Sequence, residues 1–123
     1  MIELLSGFPD GVVAFRAKGR ATKDDYDAVV IPAVEAGFGK RDKLRCYYEL
    51  GSDFSGMDIG AVWQDFRVGM GHFVGWERVA VVTDTGWIRH AVGVFQFLIP
   101  GEVRVFSTRE AAEARQWIAA AVR

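Results

Sequence analysis

Short apolar runs separated by polar turn residues set the pattern of this chain. Five runs predict β-strands by their length and their Val, Phe and Tyr content: Ile2–Ser6, Val12–Gly19, Leu44–Leu50, Glu77–Asp84 and Glu102–Ser107. The first two runs are joined by the turn sequence Phe8–Gly11, which contains Pro, Asp and Gly. This short connection predicts an antiparallel hairpin.

Between the later runs the apolar residues recur with helical spacing. Thr22 and Asp25 predict a capping box at the start of one helix, and Ser107 with Glu110 predicts another near the end of the chain. Pro32 lies inside the first of these helices and predicts a kink or a lost hydrogen bond. The alternation of strands and helices predicts a largely parallel sheet with right-handed crossovers.

Two predicted helices are unusually apolar. The helix Met57–Val74 carries an ordinary core-facing stripe, whereas Trp87–Ile99 has a broad apolar arc with Phe97 outside it. A helix this apolar is either buried nearly all round or offers its surface to something apolar. The candidate binding residues on these helices are Trp63, Phe66, Met70, Trp87, Phe95 and Phe97.

Composition narrows the class of protein. The chain has 123 residues, 50% of them hydrophobic, and a net charge of −1, which predicts one domain over residues 1–123. Lys and Arg form no basic stripe, so nucleic-acid binding is not expected. No long uncharged apolar window predicts a membrane span, and the first residues do not resemble a signal peptide. The lone Cys46 fits a cytoplasmic protein.

Residues with potential chemistry do not form a catalytic or metal-binding pattern. His72 and His90 lack metal-ligand spacing and are expected to be partly exposed helix residues. Cys46 is expected to be a buried, inert thiol. Asp84 ends a strand, where ligands of α/β sheets gather, but the interpretation we favour is the N-cap of the next helix. No cofactor and no metal ion are therefore expected.

The chain resembles the SpoIIAA-like family, related in fold to STAS domains and to lipid-binding CRAL-TRIO domains. The resemblance is carried by Phe54-x-Gly56 before Gly60-Ala61-x-Trp63, by the strand Arg78–Asp84 with Trp87, and by Pro100-x-Glu102-x-Arg104-x-Phe106 with Trp117. It implies an α/β fold with one five-stranded sheet in the order 1-2-3-4-5, strand 1 antiparallel, and helices on both faces. It also implies a non-enzymatic regulatory or ligand-binding domain.

Ser55 raises a separate question. In the STAS antagonists, which the chain resembles, a phosphorylatable serine precedes a glycine after the third strand, where Ser55-Gly56 stands here. Phosphate at a helix N-terminus would be stabilised by free N–H groups and by the helix dipole. The simpler interpretation is that Ser55 is a turn or cap residue.

The sequence thus predicts a non-enzymatic cytoplasmic domain. If it binds a membrane surface, the domain is expected to lie at the periphery of the membrane. Its two apolar helices would bind a lipid-like ligand or a membrane surface. The alternative is a regulatory module of the STAS type that binds a protein and is switched by phosphorylation at Ser55. The sequence leaves open whether the chain forms a homodimer.

Overall fold

A five-stranded sheet organises the molecule. In the computed structural model, which describes residues 1–57, 75–95 and 101–120, the strands lie in the order β1-β2-β3-β4-β5. β1 is antiparallel to β2, and the other neighbours are parallel. The strands are β1 Ile2–Leu4, β2 Val12–Ala21, β3 Leu44–Met57, β4 Trp76–Val82 and β5 Glu102–Phe106. The predicted fold class, strand order and hairpin are confirmed.

The first helical segment follows its sequence signals closely. Thr22 and Asp25 form the predicted capping box, since the Thr22 side chain accepts from the Asp25 N–H and the Asp25 carboxylate accepts from the Thr22 N–H. Helix α1 (Lys23–Asp25) passes into a π-helical segment, Tyr26–Val30, and then into helix α2 (Ile31–Lys40).

Pro32 offers a physical reason for the π-helical turn. Proline has no N–H, so residue 32 cannot donate the usual bond to the carbonyl four residues earlier. Just before it, the Ile31 N–H bonds the Tyr26 carbonyl, five residues back, as in a π-helix. The disturbance that Pro32 predicts is therefore a π-helical turn, which is wider than an α-helical turn.

Strand β3 is longer than the sequence pattern predicts. It continues beyond Leu50 to Met57, because β2 supplies a partner as far as Ala21, which is the register partner of Met57. The predictions that the strand ends at Leu50 and that the next helix starts at Met57 are therefore wrong. A polar, glycine-containing segment has low β-propensity, and pairing with β2 overrides it here.

Helices cover both faces of the sheet, as predicted. One face packs against the segment Tyr26–Val34 and against helix α3 (Gly86–Phe95); its buried residues include Phe15, Leu44, Val81 and Ile88. The other face packs against the last helix, α4 (Ala111–Ala119), around Tyr47, Ala80, Val82, Phe106, Ala114 and Ile118.

The last helix begins as the sequence indicates. A 3-10 turn, Thr108–Glu110, precedes α4, and Ser107 and Glu110 form the predicted capping box. The Ser107 N–H donates to Glu110 Oε1 at 2.9 Å. β5 lies at the edge of the sheet, in agreement with its alternating pattern.

Candidate functional site

The carboxyl ends of β4 and β5 are tied together by a polar contact. The Thr83 N–H donates to the Phe106 carbonyl at 2.8 Å, which extends the pairing past the end of β4. Asp84 then accepts from the Thr108 N–H at 3.0 Å and from the Thr108 hydroxyl. Hydrogen bonds from Thr108 hold the pKa of the Asp84 carboxyl below its usual value.

These contacts correct the prediction for Asp84. Its carboxylate binds the first residue of the 3-10 turn Thr108–Glu110, which follows β5, and does not cap the helix that follows Asp84 in sequence. Parallel neighbouring strands bring the two loops together at one edge of the sheet, so a residue after β4 serves the helix after β5.

Helix α3 begins at this edge of the sheet, and its first turn carries the exposed indole of Trp87. Trp87 is 46% exposed, whereas the adjacent Ile88 is 6% exposed and belongs to the core. The sequence pattern places both residues on one apolar arc; the structure buries Ile88 and turns Trp87 towards solvent. Arg89 and His90 are also exposed, as expected for His90.

The loop before this helix is fixed by local hydrogen bonds. The Thr85 N–H donates to Thr83 Oγ1 at 3.1 Å, and Arg89 Nη1 donates to the Thr83 carbonyl at 3.1 Å. The Arg89 N–H also bonds the Thr85 carbonyl at 3.1 Å. The backbone that carries Trp87 is therefore held in place by several hydrogen bonds.

The other apolar candidates are only partly placed. Phe95 is the last residue of α3. Trp63, Phe66, Met70 and Phe97 lie outside the described residues, as does His72. The apolar-site hypothesis therefore stays a prediction.

Ser55 lies in a strand and not in a turn or at a helix cap. The register pairs Gly19 with Phe54 and Arg20 with Gly56, so Ser55 is the extra residue of a β-bulge. Gly19 has a positive φ of 57°, in keeping with the irregular pairing. The expected cap role is therefore wrong, whereas phosphorylation of Ser55 remains a prediction.

A polar network that the sequence analysis missed lies on the α4 face of the sheet. Glu49 accepts from Arg16 Nε and from the Tyr47 hydroxyl, each at 2.6 Å. Burial raises the pKa of Glu49, but the bonds from Tyr47 and Arg16 outweigh it and the net shift is downward. The guanidinium carbon of Arg115 lies 5.4 Å from the Tyr47 ring centroid and 5.1 Å from that of Phe8.

One signal in the sequence does point to this network. Tyr47 and Glu49 are two residues apart on one strand, so their side chains share a face. The contribution of Arg16 could be recognised only once Arg16 was paired with Glu49 in the register of β2 and β3. The network is satisfied internally, and it joins the sheet to α4.

Cys46 is partly buried rather than fully buried as predicted, and it packs against the core with an inert thiol. Burial raises the pKa of its thiol to about 12, so the unreactive protonated form dominates near neutral pH. On the same face, the Tyr26 hydroxyl donates to the Tyr48 hydroxyl at 3.3 Å. Burial raises the pKa of both tyrosines. This region is a structural core rather than a reactive centre.

Two features are absent from the described parts of the chain. No helix there has both the length and the hydropathy to cross a membrane. Residues 1–57, 75–95 and 101–120 also contain no group of three or more His, Cys, Asp or Glu positioned to hold a metal ion.

Comparisons with known proteins agree with the architecture. A family model described as SpoIIAA-like matches residues 12–119. An uncharacterized protein of the DUF3478 family with a SpoIIAA-like fold, from Shewanella loihica PV-4, is 24% identical, with a TM-score of 0.71 and coverage of 96% of this chain and 92% of that one. The anti-sigma factor antagonist SpoIIAA in its unphosphorylated form is 18% identical, with a TM-score of 0.53 and coverage of 92% and 96%. A search of curated proteins finds no match.

Proposed function

The chain belongs to the SpoIIAA-like family, and from this premise we propose that it is a non-enzymatic regulatory domain that binds another protein. The docking surface is the first turn of α3 with the Asp84–Thr108 contact beside it. A similar fold serves an anti-sigma factor antagonist, which supports a protein partner of the anti-sigma-factor type. A cytoplasmic location is part of this proposal, and the presence of a single cysteine, Cys46, supports it.

The exposure of Trp87 is the observation that carries this proposal. Tryptophan is enriched among the residues that dominate binding energy, because one side chain buries a large area with few rotatable bonds. The exposed polar residues Asp84, Arg89 and His90 all lie within three residues of Trp87 along the chain. An aromatic anchor with a polar rim is typical of a protein interface.

A crosslinking experiment tests the surface directly. A photoreactive amino acid at His90 should capture a partner in the source cells, whereas one at the exposed Gln116 on α4 should not capture the same protein. The purified partner should then bind Trp87→Ala at least about thirtyfold more weakly than the original protein, as expected for a hot-spot residue. Equal capture at both positions, or unchanged affinity of Trp87→Ala, would reject the proposal.

Phosphorylation of Ser55 is the regulatory step of this proposal. A phosphate adds about 1.5 to 2 negative charges. Ser55 lies in a bulge, where the ladder is already interrupted, and Arg20 occupies the adjacent register position on β2. Charge at this position would alter the pairing of β3 with β2, and hence the carboxyl-terminal end of β3.

Two substitutions separate a switch from a structural residue. Ser55→Asp should change partner affinity by about 1–3 kcal/mol, the usual size of an allosteric coupling, while Ser55→Ala should bind like the original protein. Because Ser55 is not a helix cap, Ser55→Ala should also keep the free energy of unfolding within about 0.5 kcal/mol. Identical affinities for both variants would remove Ser55 from the mechanism.

Binding of an apolar ligand or a membrane surface is a second candidate, supported by the same exposed indole and the apolar sequence that follows it. Phe97→Asp should abolish binding to liposomes or fatty acids and should leave the melting temperature within a few degrees, since an off-arc residue carries little core packing. Native mass spectrometry of the purified protein would show a retained lipid. Unfolding of Phe97→Asp, or an unliganded mass together with no liposome binding, would exclude this candidate.

A further inference from the structure

β5 has one edge that no described residue pairs with. Its five residues Glu102–Phe106 follow the register of Arg78–Val82 on β4, and within residues 1–57, 75–95 and 101–120 β4 is its only partner. A free strand edge is a template for pairing with another chain unless charged side chains (lysine above all), proline or a bulge block it. β5 includes neither Lys nor Pro and its register with β4 is continuous, so its two charged side chains, Glu102 and Arg104, decide which partner the edge can take.

The direction of one hydrogen bond shows which residues serve this edge. The Phe106 carbonyl accepts from Thr83 and so points towards the β4 side. In a strand the N–H and C=O of one residue point the same way, and the direction alternates along the chain. Glu102 and Arg104 therefore direct their backbone groups towards β4, whereas Val103 and Val105 direct theirs outward.

The side chains of β5 divide by charge between the two faces. Arg104 stacks over Trp117, with its guanidinium carbon 5.4 Å from the ring centroid, which places it on the α4 face. The Glu102 side chain is 65% exposed on the same face, 3.8 Å from Arg78 Nε. Alternation puts the partly exposed Val103 and Val105 on the opposite face.

We propose that the β5 edge pairs antiparallel with β5 of a second copy of the chain, about a two-fold axis at Val103. In this register Val103 and its copy exchange two backbone hydrogen bonds. Glu102 of each chain lies directly opposite Arg104 of the other, in a non-hydrogen-bonded pair where side chains approach closely. On the opposite face Val103 meets its own copy, and Val105 lies opposite the small residue Gly101 of the other chain, so the edge is complementary to itself.

The charge pattern selects this register over its neighbours. Two-fold axes at Glu102, Val103, Arg104 and Val105 all let the outward backbone groups of the two strands face each other. An axis at Glu102 or at Arg104 would place two like charges directly opposite each other, and an axis at Val105 would leave Glu102 and Arg104 without opposite charges. Only the axis at Val103 gives two complementary ion pairs. The pairing rests on the β5 backbone and on the charges of Glu102 and Arg104, none of which carries the proposed function, so the inference stands independently of it.

Sedimentation of the full chain between about 1 μM and about 1 mM tests the pairing. The original protein should dimerise with increasing concentration. Arg104→Glu should raise the dimer dissociation constant at least about tenfold, because both ion pairs become repulsive. The double variant Glu102→Arg with Arg104→Glu restores opposite charges and should return the constant to within about threefold.

Val103→Pro is the second test, and it does not depend on charge. It removes an outward N–H and keeps the bonds to β4, as is tolerated at strand edges. The variant should stay folded by circular dichroism and remain monomeric. A monomeric original protein over the whole range would overturn the proposal, as would dimerisation unaffected by Val103→Pro. If Arg104→Glu does not fold, Val103→Pro decides alone.

Discussion

At the scale of single residues, glycine acts here mainly by leaving space for neighbouring backbone. A Cβ at Gly101 would lie 2.3 Å from the Trp76 carbonyl oxygen and 2.6 Å from that of Glu77. Gly39 in α2 is different, because a Cβ there would meet nothing within 4 Å. The two positions therefore predict opposite effects of the same substitution.

We expect Gly101→Ala to lower the free energy of unfolding by at least about 2 kcal/mol, since β4 backbone cannot move aside cheaply. Gly39→Ala should raise it by about 0.5–1 kcal/mol through helix propensity. Urea denaturation of both variants measures the difference. Equal effects would show that the close approach of β5 to β4 at Gly101 does not limit stability.

Glu49 predicts a pH dependence of stability. Its pKa is lowered in the folded state by Tyr47 and Arg16, despite the opposing effect of burial. The stabilisation is therefore complete above the unfolded-state pKa, about 4.3, and is lost as pH falls through the lower folded-state value.

Glu49→Gln should cost about 1–2 kcal/mol at pH 7 and progressively less below about pH 4. Tyr47→Phe removes one of the two donors and should give an intermediate slope. Denaturation of the three proteins between about pH 7 and about pH 3 checks the order. Parallel curves for Glu49→Gln and the original protein would contradict the role of this network.

At the scale of elements, two arginines hold the end of α4 on the sheet. Arg45 is 5% exposed; its Nη1 donates to the carbonyls of Ile118 at 3.0 Å and Ala120 at 2.5 Å. Its Nε donates to Glu77 at 2.6 Å. Arg78 Nη1 donates to the Trp117 carbonyl at 2.9 Å. Cations at a helix C-terminus also interact favourably with the helix dipole.

Arg45→Met should therefore destabilise the protein by about 3 kcal/mol, because the buried Ile118 carbonyl and the Ala120 carbonyl lose their donor and Glu77 loses its partner. Arg78→Met, at a more exposed arginine on the neighbouring strand, is the matched control and should cost about 1 kcal/mol. Chemical denaturation gives both values. A larger loss of stability for Arg78→Met than for Arg45→Met would show that Arg78, and not Arg45, contributes more to holding α4 on the sheet.

At the scale of the whole molecule, stability should be greatest in the inner strands of the sheet, of which β4 is one. β4 is paired on both sides, with β3 and with β5, and Ala80, Val81 and Val82 are buried. Helix α3 instead carries an exposed tryptophan on its first turn and Gly93 within it. Glycine inside a helix lowers its propensity by about 1 kcal/mol relative to alanine.

Amide hydrogen exchange should follow this difference. Peptides covering Val79–Val82 should exchange most slowly, and those covering Met57–Val74 and Trp87–Ile99, which contain several glycines, should exchange faster. Mass spectrometry of exchanged peptides makes the comparison within one sample. Equal protection of the three segments would contradict this expectation.

The sequence by itself determined the parts of this protein that depend on neighbours along the chain. Five strands, the first hairpin, both capping boxes and the family resemblance could be read from local periodicity and short motifs, because the groups involved are a few residues apart. The resemblance, rather than the pattern, supplied the order of the strands.

The tertiary structure decided whatever depends on residues distant along the chain. β3 continues to Met57 because β2 lies beside it. Ser55 is therefore the extra residue of a β-bulge and not the expected turn residue. Asp84 meets Thr108 because parallel strands end at one edge, and helix orientation exposes Trp87. Periodicity describes one element at a time, whereas these contacts arise from the pairing of elements, so the candidate surface emerged only from the fold.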